Sequence, residues 1–170
     1  MLNLSETITR LEHTARAIQA LVDGVTEEQA HWKPSEKDWS ITEVICHLAD
    51  EEVEDFRTHT DQLLYHTDES WQAIDPQAWV TQRKYNQQDH RTGLQRFLFE
   101  RQESLRWLSR LESPDWDSKI ENQYGKLTAG DALLSWAAHD LLHLRQLIEL
   151  HYAYAARQAK PYEIGYAGEW

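Results

Sequence analysis

The sequence predicts an all-α protein, a four-helix bundle formed as a single domain over residues 1–170, and three observations carry that prediction. Four segments place apolar residues at the three- and four-residue spacing of an amphipathic helix. No segment longer than a few residues alternates with the period of a strand, and Asn, Ser or Thr stands where three of the four helices begin. A chain of 170 residues with 41% hydrophobic content can bury one sizeable core and is too short for two.

Asn3 and Glu6 form a capping pair, and Leu4, Ile8, Leu11, Ala15, Ile18 and Val22 then recur at helical spacing up to Gly24. Thr26 with Gln29 predicts a brief helical turn over 27–32 before Pro34, and His31 to Asp38 reads as a connecting loop. Ser40 with Glu43 is a capping box that opens helix two, in which Ile41, Val44, Ile45, Leu48, Val53 and Phe56 carry the helix to about Tyr65. Residues 66–88, with Pro76 and the isolated aromatics Trp71, Trp79 and Tyr85, show no sustained period and predict a long packed crossover between helices two and three. Leu94, Phe97, Leu98, Arg101, Leu105, Leu108 and Leu111 mark helix three, which ends before Pro114. A polar segment over 115–127 turns at Gly125. Thr128 with Asp131 then caps helix four, whose apolar face runs through Leu133, Leu134, Ala137, Leu141, Leu144 and Ile148 to about Ala156. The tail, with Pro161, Gly165 and Gly168, is expected to be extended.

Composition narrows the function. A formal charge of −12 argues against nucleic-acid or anionic-membrane partners, because both depend on positive charge meeting phosphate. No run approaches the roughly 20 apolar residues needed to span a bilayer. The first 20 residues, with Glu6, Arg10, Glu12 and Arg16, lack the apolar stretch of a signal peptide, so a cytoplasmic location is expected. Cys46 is the single cysteine, which excludes an intrachain disulfide and a thiolate cluster. Any metal must be held by nitrogen and oxygen.

His139 and His143 stand four residues apart on helix four, on one face and roughly 6 Å apart along the axis. They border the line through Trp136, Gln146, Leu147 and Leu150, next to the apolar face. On helix two, His47 shares a line with Val44, Leu48, Glu51 and Asp55, where the apolar face gives way to ionisable residues. Three imidazoles from two facing helices would supply three neutral nitrogen ligands and leave a fourth position open, a set that zinc, nickel or iron(II) accepts. The competing reading is that an i, i+4 pair arises by chance and that a histidine at the core edge hydrogen-bonds a neighbour. Glu51, one turn beyond His47, is the candidate acid or base beside the ion; the alternative is an ion pair with an Arg or Lys across the bundle. Asp140 and Cys46 each face about 100° away from the neighbouring histidine. Asp140 is therefore expected to be solvated or salt-bridged, and Cys46 to be a buried thiol. His13, His59, His66 and His151 are expected on the surface. Trp32, Trp39, Trp107 and Trp136 read as packing residues, whereas Trp71, Trp79 and Tyr85 either pack or line a pocket mouth.

The segment Trp32-Lys33-Pro34 followed by Trp39-Ser40-Ile41-Thr42-Glu43-Val44-Ile45-Cys46-His47-Leu48-Ala49-Asp50-Glu51 resembles the signature of the DinB-like family. Gly125-Lys126-Leu127-Thr128, Asp131, Leu133-Leu134 and the run from His139 to Leu147 are similar to that family's fourth-helix H-x-x-x-H segment. The resemblance implies up-down-down-up connectivity, a homodimer, and a divalent metal (Zn, Ni or Fe) held by His47, His139 and His143. It also implies an enzyme acting on a small-molecule substrate, of the thiol-dependent transferase type with a low-molecular-weight thiol as cosubstrate. The alternatives are a metal-dependent hydrolase and a non-enzymatic module in which the ion staples helices two and four. A fourth protein ligand, for which Glu51 is the candidate, would favour the last.

Overall fold

The computed structural model describes residues 2–71, 73–122 and 125–168. Residue 72 of the expected crossover, residues 123 and 124 of the expected polar segment and the last two residues of the tail lie outside the described residues. The elements begin where capping chemistry places them. The Asn3 side chain accepts from the Glu6 N–H at the start of α1 (Leu4–Val22), and Thr26 does the same for Gln29 in α2 (Glu27–His31). Ser40 and Glu43 form both halves of a capping box at α3 (Ile41–Glu51). A π-helical turn over Glu52–Arg57 carries α3 without interruption into α4 (Thr58–Tyr65), so the second rod of the bundle spans residues 41–65. Helices α6 (His90–Ser109) and α7 (Ala129–Ala159) complete the bundle, the first capped by Asp89 and the second by a Thr128/Asp131 box.

The core contacts fix the direction of each rod. Ile18 and Val22 at the end of α1 cluster with Ile41, Val44 and Ile45 at the start of α3, Leu94 and Phe97 at the start of α6, and Leu147 and Leu150 late in α7. At the opposite end Leu4, Ile8 and Leu11 of α1 meet Leu105 and Leu108 of α6 and Leu133 and Trp136 of α7. Thus α1 and α7 run one way and the other two rods run the opposite way, which is the expected up-down-down-up order. His151 reinforces it by donating from Nε2 to the Leu21 carbonyl at 2.6 Å, so the ends of α7 and α1 lie side by side.

This order explains the long crossover. The rod over 41–65 is about 37 Å long, and because α6 runs parallel to it the chain must travel back that distance before α6 can start. The crossover is packed, as expected, and it also has short helical structure that its lack of period did not show. It contains α5 (Pro76–Gln82), with Asp75 as cap and Pro76 in the first turn, and a 3-10 turn over Tyr85–Gln87. Trp79, Val80 and Tyr85 pack against Cys46 in a small cluster of their own. A second departure lies in the 115–127 segment, where β1 (Lys119–Asn122) and β2 (Gly125–Thr128) pair antiparallel with Lys119 opposite Thr128. The tail, expected to be extended, includes a 3-10 turn over Gly165–Ala167.

At mid-bundle the core is ionic. Arg101 of α6 is fully buried and donates to both carboxylate oxygens of Glu52 and of Asp140, and to the Leu11 carbonyl. Trp136 Nε1 adds a hydrogen bond to Glu52, and the Thr14 hydroxyl donates to Asp140. All four rods are thereby tied through one guanidinium, whose planar fork suits two carboxylates. Removing one member of such a buried pair typically costs about 3–5 kcal/mol, because the remaining charge is left unpaired.

Candidate metal centre

The capping box at Ser40 sets the phase of α3, and the seventh residue of that helix, His47, points into the bundle with 3% exposure. From α7, His139 and His143 enter the same space, His143 with 8% exposure. The donor atoms of the three imidazoles lie within 4.8 Å of one another, a spacing that could hold one metal ion. His139 Nε2 and His143 Nε2 are 3.0 Å apart. The Glu51 carboxylate closes one side of the group, with Oε2 2.9 Å from His139 Nε2 and 3.4 Å from His47 Nε2. Glu51 is 5% exposed, and the arginine or lysine partner considered from the sequence is replaced by two imidazoles.

The protonation states fit a cation. Gln146 Oε1 lies 2.8 Å from His143 Nδ1, so this nitrogen carries the proton and Nε2 turns its lone pair towards His139 and the centre of the cluster. Burial, followed by His143 and His139, pushes the pKa of His47 down to about 2. Burial and His139 lower that of His143 to about 4. Both are therefore neutral at pH 7, the form that binds a metal. Glu51 Oε2 and His47 Nδ1 are buried without a hydrogen-bond partner. Imidazoles held neutral by burial, with a carboxylate oxygen that lacks a hydrogen bond beside them, suit a divalent ion held by the three ring nitrogens.

The site opens onto a cavity of about 790 Å³. Pro34, Lys37 and Trp39 line it from the segment before α3, Pro76 and Gln77 from α5, and Leu142 from α7. Trp39, expected only to pack, meets His47 edge-on with ring centroids 4.8 Å apart and lies nearly parallel to His143 at 6.2 Å. Phe56 leans on His139 at 5.0 Å and stacks on Trp136 at 5.7 Å. Sequence reasoning missed both as site residues. The signal for Trp39 was its place immediately before the cap of the helix that bears His47.

Asp140 stands outside the three-histidine group and is not solvated; it is salt-bridged to Arg101 in the core. Because Asp140 follows His139 and Glu52 follows Glu51, the Arg101 bridge also sets the spacing of α3 and α7 at the site. Cys46 is fully buried, its thiol pushed up to about 11 chiefly by desolvation, with Sγ donating to Gln88 Oε1 at 3.6 Å. Trp79 and Tyr85 pack and do not line the cavity. His13 and His66 are exposed as expected. His59 is not: it is buried, hydrogen-bonded to Asp55 and stacked on Trp71 at 4.1 Å. His151 is half-buried between Leu21 and Gln29. Among the described residues no helix is long and apolar enough to cross a membrane.

The family model of the DinB superfamily matches residues 10–147, a stretch that includes all three histidines and Glu51. The chain belongs to the DinB superfamily. Its fold is similar to that of YfiT from Bacillus subtilis, described as "a probable metal-dependent hydrolase with an unusual four-helix bundle topology". That likeness has a TM-score of 0.78 at 18% identity and covers 89% of this chain and 87% of YfiT. No curated protein matches the chain. For this DinB-superfamily chain the likeness to YfiT supports the four-helix bundle and the order of its rods.

Proposed function

We propose that this DinB-superfamily protein is a metal-dependent enzyme acting on a small molecule, with His47, His139 and His143 as ligands of a divalent ion. The observation that carries the reading is the convergence of three imidazoles and the Glu51 carboxylate, whose Oε2 lacks a hydrogen bond, on the lining of a cavity. A divalent ion held there supplies Lewis acidity and lowers the pKa of a water or thiol nucleophile towards neutrality. Glu51 Oε2 is the proton acceptor for that nucleophile. It sits beside the ligand atoms on the lining of the cavity. Gln146 holds His143 in the tautomer that offers Nε2. Trp39 forms an apolar wall against which the substrate is aligned.

Two nucleophiles are compatible with this arrangement. Thiol transfer follows from the resemblance of the His47 and His139–Leu147 segments to the DinB-like family. Hydrolysis is favoured by the likeness to YfiT. A cobalt(II)-loaded protein separates them. A change in its visible spectrum on adding a low-molecular-weight thiol supports the thiol reading, and an unchanged spectrum with chelator-sensitive ester or amide turnover supports hydrolysis. In either case His143→Ala should reduce turnover at least a hundredfold, and Glu51→Gln should lower kcat while leaving the metal content intact. Turnover that survives chelation and His143→Ala would exclude this centre as the active site.

A further inference from the structure

We propose a second divalent-metal site, formed by Glu27 and His31 of α2 and His90, the first residue of α6. Their donor atoms lie within 4.8 Å of one another, in a group that shares no residue with the His47 cluster or its cavity. Glu27 uses both oxygens: Oε2 is 3.2 Å from His31 Nε2 and Oε1 is 3.5 Å from His90 Nδ1.

Two observations make the space between these groups fit for a cation. The Thr42 hydroxyl has one proton and gives it to the Ala30 carbonyl at 2.9 Å, so towards His31 Nδ1, 3.3 Å away, it can only accept. In neutral His31 that contact puts the proton on Nδ1, so the Nε2 lone pair faces Glu27 Oε2 3.2 Å away, a contact that is a hydrogen bond only when Nε2 is protonated. The other observation concerns His90, which is 2% exposed and whose Nδ1 has no hydrogen-bond partner although it is aimed at the same carboxylate. Two imidazole nitrogens and a carboxylate, arranged with lone pairs facing, form the ligand set of a first-row divalent ion with its remaining positions filled by water. Thr42 is the outer partner that fixes the His31 tautomer, as such partners do in metal sites. Glu27 is 61% exposed along its side chain, which gives an ion a route from solvent.

Such an ion would pin α2 to the start of α6. The His31 carbonyl also accepts from Asn86 Nδ2, and the Asn86 side-chain oxygen accepts from Ser40 Oγ, so the pinned turn is continuous with the cap of α3. The second site thereby stiffens both ends of the segment that carries Trp39 over the first.

The test is a zinc titration of the chelator-stripped full-length chain, read by competition with a chromophoric chelator and by the 15N shifts of histidine side chains. We expect two equivalents in the wild type, and one in His139→Ala/His143→Ala that still perturbs His31 and His90. In that background Glu27→Gln, a change at an exposed position that leaves the fold intact, should weaken binding at least tenfold, and His90→Gln should abolish it. Zinc that leaves the His31 and His90 resonances unmoved, or binding indifferent to both substitutions, overturns the proposal. The two sites fail independently: a single equivalent lost in Glu27→Gln and retained in His139→Ala/His143→Ala would keep this site and remove the first.

Discussion

Two histidines of the candidate centre, His47 and His143, are held neutral by where they are buried, and this has a consequence for stability. His47 and His143 titrate in the folded chain at about 2 and about 4, below the value of an unfolded histidine near 6.5. Their surroundings are Glu51 on the same helix as His47, and His139, Asp140 and Gln146 on α7. Between pH 6.5 and 4 the unfolded chain takes up protons at both positions that the folded chain refuses. Stability is complete above pH 6.5 and falls as pH drops, by up to about 1.4 kcal/mol per pH unit for each group. Below about 4 only His47 continues to contribute. The metal-free protein should therefore unfold at lower urea at pH 5 than at pH 7, and the dependence should be shallower in His143→Ala. Equal slopes in the two proteins would contradict the assignment of His143 as a buried neutral imidazole.

At the scale of elements, local capping chemistry decides where each rod starts, and the packing decides the rest. Ser40 caps the helix that carries His47, and its hydroxyl also donates to Asn86 of the crossover. Ser40→Ala should cost about 0.5–2 kcal/mol, the usual range for a lost N-cap, as the shift of a urea unfolding midpoint. A change below a few tenths would mean that the packing of α3 alone sets its start. The same chemistry explains what was legible in the sequence. Asn3, Ser40 and Thr128 each stand before a long amphipathic run, and the predicted starts of those rods agree with the structure. The i, i+4 spacing of His139 and His143 was likewise readable, because one helix carries both. What lay hidden depends on short or tertiary features. Seven residues of α5 and four-residue strands are too brief to show a period, although Asp75-Pro76 is a capping signal that could have marked α5. The π turn over Glu52–Arg57 leaves no pattern in composition, yet it follows Glu51 directly and carries Phe56 to His139. Of the two readings of Asp140, solvated or salt-bridged, the structure bears out the second, and the sequence could not choose between them because the partner Arg101 is 39 residues away in the chain, on another rod.

Across the whole molecule, the up-down-down-up order makes the site possible. It sets α3 and α7 antiparallel, so His47 early in one faces His139 and His143 at the middle of the other. The Arg101 bridge fixes the two rods at that level of the bundle, one residue along from the site on each. An ion at the three histidines would then join the same two helices a second time, on the side that opens to the cavity. Anomalous X-ray diffraction from crystals of the zinc-loaded full-length protein, collected above and below the zinc edge, tests this most directly. The account predicts an anomalous peak about 2.0–2.1 Å from one ring nitrogen each of His47, His139 and His143. Zinc-loaded crystals with no anomalous density among these three side chains would contradict it.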